Sequence, residues 1–140
     1  MAANSPVLDR APAEPLTLPK WQIWTGRVLS ALPVLLLALS ASMKLTQNPG
    51  LVEKLTSTYG YPASAIVAIG VAEIVSAVLY AIPRTAVLGA VLVTGYLGGA
   101  VATHVRIGES FALPLLIGVL AWAGLFLRDE RVRALLPLRS

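Results

Sequence analysis

The stretch 62–82 constrains this chain most, because it is apolar throughout except for one carboxylate near its middle, Glu73. As a helix this stretch is about 31 Å long at about 1.5 Å per residue, which matches the hydrocarbon core of a bilayer. An ionised group at that depth costs roughly 3 kcal/mol or more. We therefore expect either a partner for Glu73 elsewhere in the chain or a neutral Glu73.

The composition indicates an integral membrane protein embedded in the lipid bilayer. The chain is 56 % hydrophobic and 13 % charged, with a mean hydropathy of +0.76, whereas soluble domains carry about 25 % charged residues. The net charge of +4 does not indicate nucleic acid, because the basic residues lie at the ends of apolar segments. Since cysteine is absent, a redox role requires a bound cofactor or a partner protein.

Four apolar segments predict an all-α fold, a four-helix transmembrane bundle. The predicted domain is 20–136, between a disordered cytoplasmic tail, 1–19, and a short tail, 137–140. Pro83-Arg84 leaves so short a connection that the second and third spans pack antiparallel. The four predicted spans are about 25–44, 62–82, 85–104 and 111–127.

Small residues predict which helix faces meet. In the first span a stripe of small and polar residues runs from Gly26 to Lys44 and is expected to face the bundle. The fourth span carries no charge and is expected to face lipid most. A short amphipathic helix on the membrane surface is predicted for Leu51 to Tyr59. On the third span, close helix packing is predicted for Gly95, Gly98 and Gly99.

The distribution of basic residues predicts the topology. Eight basic residues fall on the side of the two termini and three, including Lys54, on the other side. The positive-inside rule then places both termini in the cytoplasm of a multi-pass membrane protein. A different interpretation stays open, because the basic leader, the apolar run 28–39 and the small residues after it also resemble a signal peptide.

On this topology several polar side chains converge near the outer half of the bundle. The lysine stem is long enough for Lys44 to reach Glu73, so the two are expected to meet. Two interpretations remain open: a functional pocket, or an ion pair that only fixes the helix register. For His104 the alternative is a solvated helix end. One histidine does not build a metal site, and no catalytic motif is present. The predicted cluster comprises Lys44, Glu73, Tyr96, Thr103, His104 and Arg106.

Several short motifs resemble the DoxX-like family of small bacterial four-span membrane proteins. They are Met43-Lys44-Leu45, Tyr59-Gly60-Tyr61-Pro62, Ala72-Glu73-Ile74, Pro83-Arg84-Thr85-Ala86, and 94–100 followed by Thr103-His104 and Arg106. The family takes its name from a small subunit of a thiosulfate:quinone oxidoreductase. The resemblance therefore implies a membrane subunit or accessory of an oxidoreductase system, with a redox enzyme as partner and a quinone as the candidate cofactor. It implies no catalytic role for the polar residues.

Three functions are therefore considered from the sequence. The leading one is the oxidoreductase subunit, with a pocket around Glu73 for a head group or a proton path. The second is a small transporter or permease, with or without proton coupling, which would have to be a homo-oligomer, a dimer, because four spans are few for that task. The third is a structural scaffold in which Glu73 and Lys44 only hold the helices together.

Overall fold

The computed structural model describes residues 18–135, and within them the chain is helical, with no strand. The predicted tail 1–19 lies outside the described residues except for its last two, and 137–140 lies outside them entirely. One turn of π-helix, Lys54–Thr58, continues the second helix. The helices are α1 (Lys20–Leu45), α2 (Pro49–Glu53), α3 (Ala63–Ala81), α4 (Ala86–Arg106), α5 (Ala112–Arg128) and α6 (Glu130–Leu135).

Three of these helices, α1, α3 and α4, are long and apolar enough to cross a membrane. The fourth apolar helix, α5, has 17 residues and is therefore about 26 Å long, at the lower limit for a crossing. The chain is thus a membrane protein with several apolar helices. Helix α1 begins before the predicted span and includes Trp21 and Trp24, which are both exposed, as expected of residues at a membrane interface.

The apolar helices pack so that each has two others as neighbours. Helix α1 packs against α3 and α5, and α4 packs against the same two helices. The stripe predicted on α1 is buried in this arrangement, including Gly26, Ser30, Leu37 and Lys44. The prediction that the fourth apolar segment faces lipid most is wrong, because α5 packs along α1 and buries a face that includes Ala121.

Helices α1 and α5 approach closely at two glycines, one in the predicted stripe of α1 and one that the sequence did not single out. A Cβ at Gly124 of α5 would lie 2.5 Å from the Ser30 hydroxyl oxygen of α1, and one at Gly26 would lie 2.9 Å from the Gly124 carbonyl oxygen. Backbones that approach this closely leave no room for a side chain. At Gly95, Gly98 and Gly99 a Cβ would meet nothing within 4 Å. The predicted packing at these three glycines is therefore absent from the described part of the chain.

Two connections lie at the same end of the molecule. The segment predicted as a short helix is helical, as α2 followed by the π turn, and Leu55 within it is buried. Helix α4 ends in a Schellman motif: Gly108 has a φ of 73°, and the Glu109 amide donates to the His104 carbonyl at 3.0 Å. A residue with positive φ at this position is usually glycine. The turn brings Glu109 back towards the π turn.

Candidate functional site

A buried ion pair joins α1 to the middle of α3. The Lys44 ammonium Nζ lies 2.8 Å from Oε2 of Glu73, and these two residues are only 6 % and 1 % exposed. Because neither charge is solvated, each depends on the other for its stabilisation. The partner that the sequence demanded for Glu73 is therefore Lys44, in the last turn of α1.

Gly70 makes this pairing geometrically possible. It precedes Glu73 by one helical turn, and a Cβ at this position would lie 2.9 Å from the Cβ of Lys44. Since Gly70 has no side chain, α1 approaches α3 closely enough for the lysine to reach the carboxylate directly. The Lys44 ammonium also donates to the Ser40 hydroxyl at 2.7 Å, which fixes its direction along α1.

The ion pair lies on the wall of a cavity of about 530 Å³, within the usual size range of a small-molecule site. Helices α1, α3, α4 and α5 form its walls, and α2 and the π turn cover one end. Most of the lining is aliphatic, with leucine and isoleucine prominent. The polar lining residues are Ser40, Lys44, Tyr59, Tyr61, Glu73, Tyr96, Thr103 and His104.

Hydrogen-bonding capacity remains at the buried polar end. An ammonium has three protons, and Lys44 uses two of them on Ser40 and Glu73. Within residues 18–135, hydrogen bonds of standard geometry reach Glu73 at Oε2 alone, and Tyr96 lines the same cavity. One proton of Lys44 and Oε1 of Glu73 are therefore not used by any hydrogen bond within residues 18–135.

Tyr61 and Thr103 form a neutral part of the cavity wall. The Thr103 hydroxyl donates to the Gly99 carbonyl at 2.9 Å, which uses its single proton. The Tyr61 hydroxyl, 2.6 Å from the same oxygen, is therefore the donor between the two residues. This contact holds the connection after the π turn against α4.

A second polar group, which we call the rim cluster, closes the end covered by the π turn. The Tyr59 phenol donates to Oε2 of Glu109 at 2.8 Å, and Lys54 lies 3.5 Å from the other carboxylate oxygen. Arg106 donates to the Tyr59 carbonyl. His104 lies edge-on to the Tyr59 ring, with 5.5 Å between ring centroids. The rim cluster comprises Lys54, Tyr59, His104, Arg106 and Glu109.

Electrostatics within the rim cluster favour charged Lys54 and Glu109 around a neutral phenol. The hydrogen bond from Tyr59, together with nearby Lys54, lowers the pKa of Glu109 below its ordinary value. Burial, and then the bond to Glu109, raises the pKa of Tyr59. The interaction with Tyr59, and then with Glu109, raises the pKa of Lys54. Each shift favours the protonation state that makes these contacts at neutral pH.

The structure places the six polar residues predicted from the sequence in two groups. Five of them line the cavity: Lys44, Glu73, Tyr96, Thr103 and His104. The sixth, Arg106, is exposed and belongs to the rim cluster alone. Sequence reasoning assigned Tyr59 and Tyr61 only to the membrane interface, although both also line the cavity. Their position at the start of the second span, beside turn residues, was the available signal.

Comparison with known proteins identifies the family. No curated protein and no solved structure matches the chain. The family model described as the DoxX-like family matches residues 28–124, well over half of the chain. The matched region includes the ion pair and every residue that lines the cavity. The chain therefore belongs to the DoxX-like family.

Proposed function

We propose that this protein is a small membrane subunit or accessory of an oxidoreductase system, and that its cavity binds the head group of a lipid-soluble quinone. The observation that carries the proposal is the Lys44–Glu73 pair, the only charged pair buried in the wall of the described cavity, whose lining is largely aliphatic. Pockets of this kind, apolar with a few convergent polar groups, are typical of small-molecule sites.

A quinone fits the chemistry of the polar end in both of its oxidation states. The oxidised head presents carbonyl oxygens, which need donors, and Lys44 has a proton not used by Ser40 or Glu73. The reduced head presents hydroxyl groups, which need an acceptor, and Oε1 of Glu73 supplies one. The phenol of Tyr96, which lines the same cavity as Glu73, can either donate or accept. These groups therefore support binding before and after a two-electron reduction.

The membrane arrangement that we propose uses α5 as a fourth crossing. Four crossings place both termini on one side, and the excess of basic residues there favours the cytoplasm of a bacterial cell. The rim cluster would then lie at the outer face, and Glu73 near the middle of the bilayer. Arg128, at the end of α5, and Arg106, at the end of α4, would mark opposite faces.

Quinone binding is tested with the purified protein in lipid nanodiscs. Decylubiquinone is titrated calorimetrically, with empty nanodiscs as the reference because the probe partitions into lipid. We expect Glu73→Gln to weaken binding by about tenfold, the size of one lost hydrogen bond to a charged group. Glu53→Gln is the matched control, because this carboxylate is exposed on α2 and does not line the cavity. Equal affinity of wild type and Glu73→Gln would contradict the proposal.

The redox association is tested separately in native membranes. Chemical cross-linking followed by mass spectrometry of the captured complexes is expected to identify a subunit of an oxidoreductase beside this chain. Capture of this chain alone, under conditions that preserve a known membrane complex of the same cells, would contradict a role as a subunit. That result would not bear on quinone binding, which the calorimetric titration tests by itself.

A further inference from the structure

We propose that the ligand enters the cavity sideways from the lipid phase, through an opening beside Gly95 and Gly99 of α4, and that it is an amphiphile whose apolar tail remains in that opening. This inference rests on the proposed function and specifies the ligand class: a head with both donors and acceptors, carried on a hydrocarbon tail. We call the opening the portal and define it by Leu36, Gly95, Gly99 and Leu113.

The portal is where the cavity reaches the surface of the protein. Gly95 and Gly99 line the cavity and are also exposed. Leu36 of α1 and Leu113 of α5 line the same cavity and are 42 % and 63 % exposed. A residue that both lines a cavity and is exposed marks its mouth. No described helix covers this part of α4, since a Cβ at either glycine would meet nothing within 4 Å.

The mouth of the cavity is apolar and its interior is polar, as expected for a ligand that enters from the membrane. The portal residues carry no polar side chain, whereas the interior holds Glu73, which is 1 % exposed. A solute arriving from water would need a polar mouth on the aqueous side. The end nearest the connections is instead covered by the π turn, which Tyr59 holds to Glu109 and Arg106.

The absence of side chains at positions 95 and 99 gives the portal its width. On a helix these residues are four apart and lie on one face, so together they leave a strip of bare backbone along the mouth. Gly98 offers a matched control on the same helix. It is exposed and a Cβ there also meets nothing within 4 Å, but it does not line the cavity.

The test compares Gly95→Leu, Gly99→Leu and Gly98→Leu in nanodiscs, using two probes with the same head. Decylubiquinone carries a ten-carbon tail, and 2,3-dimethoxy-5-methyl-1,4-benzoquinone carries none. We expect the two portal variants to weaken decylubiquinone binding by about tenfold, the effect of about two tail methylenes losing their contacts. The tail-free probe should bind all three variants as it binds wild type, and Gly98→Leu should bind both probes normally.

The outcomes separate this inference from the proposed function. If Glu73→Gln weakens binding but the portal variants bind decylubiquinone like wild type, the portal is wrong and the quinone site stands. If Gly98→Leu weakens binding as much as Gly99→Leu, the portal is also wrong. If wild type binds neither probe, or Glu73→Gln leaves both affinities unchanged, the proposed function fails and the portal fails with it.

A spectroscopic measurement keeps the inference testable if a leucine variant does not fold. The natural chain has no cysteine, so Gly99→Cys and Gly98→Cys each carry a single nitroxide label. Saturating decylubiquinone is expected to slow the motion of the label at position 99 and to leave the label at 98 unchanged. Equal spectra at 99 with and without the quinone would overturn the portal.

Discussion

Replacing Lys44 or Glu73 alone should destabilise the protein far more than replacing both together. At 2.8 Å the Coulomb attraction is about 6 kcal/mol for an effective dielectric constant of about 20, and most of it offsets the cost of desolvating the two charges. Removing one partner leaves the other buried without compensation. We therefore expect Lys44→Met or Glu73→Leu alone to lower the free energy of unfolding by about 3–5 kcal/mol.

The double variant Lys44→Met/Glu73→Leu should recover most of that loss and unfold within about 1 kcal/mol of wild type, because packed apolar side chains replace a buried pair at little net cost. The assay is reversible denaturation in bicelles, followed by tryptophan emission. A double variant that loses the sum of the two single effects would refute the reasoning, since the two groups would then act independently.

The folded double variant also separates the scaffold from the ligand-binding protein. If the ion pair only sets the helix register, this variant has the same affinity for decylubiquinone as wild type. If the pair receives a head group, the variant is stable but binds the quinone at least about tenfold more weakly. Lys44→Met or Glu73→Leu alone cannot make this distinction, because weaker binding would accompany their loss of stability.

Two further predictions concern the rim cluster and the crossing of α1 and α5. The fold lowers the pKa of Glu109 from its ordinary 4.5, so the stabilisation by this carboxylate is complete above pH 4.5 and is lost as pH falls through the lowered pKa. Glu109→Gln should reproduce this loss at neutral pH, measured as faster hydrogen exchange in the π turn. Unchanged exchange in this variant would refute the prediction. Gly124→Leu should lower the free energy of unfolding by about 1–3 kcal/mol, because the new side chain overpacks against Ser30. The control Gly98→Leu should change the free energy of unfolding by less than about 0.5 kcal/mol. Equal effects of the two variants in the same bicelle assay would contradict the packing argument.

The helices could be predicted from the sequence because two strong signals agree. Apolar runs long enough for a bilayer fix the existence of the helices, and turn residues fix their ends. Helix α3 covers Ala63–Ala81 within the predicted 62–82, and α4 covers Ala86–Arg106 where 85–104 was predicted. The pairing of Glu73 with Lys44 could also be predicted, because a lone buried carboxylate needs a cation and few cations lie within reach.

The stripe on α1 predicted the role of Gly26, but spacing did not predict the roles of Gly95 and Gly99. A row of small residues allows a neighbouring helix to approach, but it equally leaves an unfilled space when no helix is there. Gly26 and Gly124 mark a contact, whereas Gly95 and Gly99 mark an opening. The two cases differ only in whether another helix lies opposite the glycines. That is decided by the packing of the whole chain and is not encoded in the local pattern.

The π turn shows a similar limit and links the two ends of the cavity. Apolar spacing predicts an amphipathic segment at 51–59, but it does not predict that the last turn widens to a π-helix, a feature that often marks functional sites. The widened turn places Tyr59 where its ring lines the cavity while its phenol bonds Glu109. The residue that closes the cavity on one side therefore also belongs to the ion network of the connections. A ligand that displaced the Tyr59 ring would have to break that network, so occupancy of the cavity and order in the π turn should be coupled.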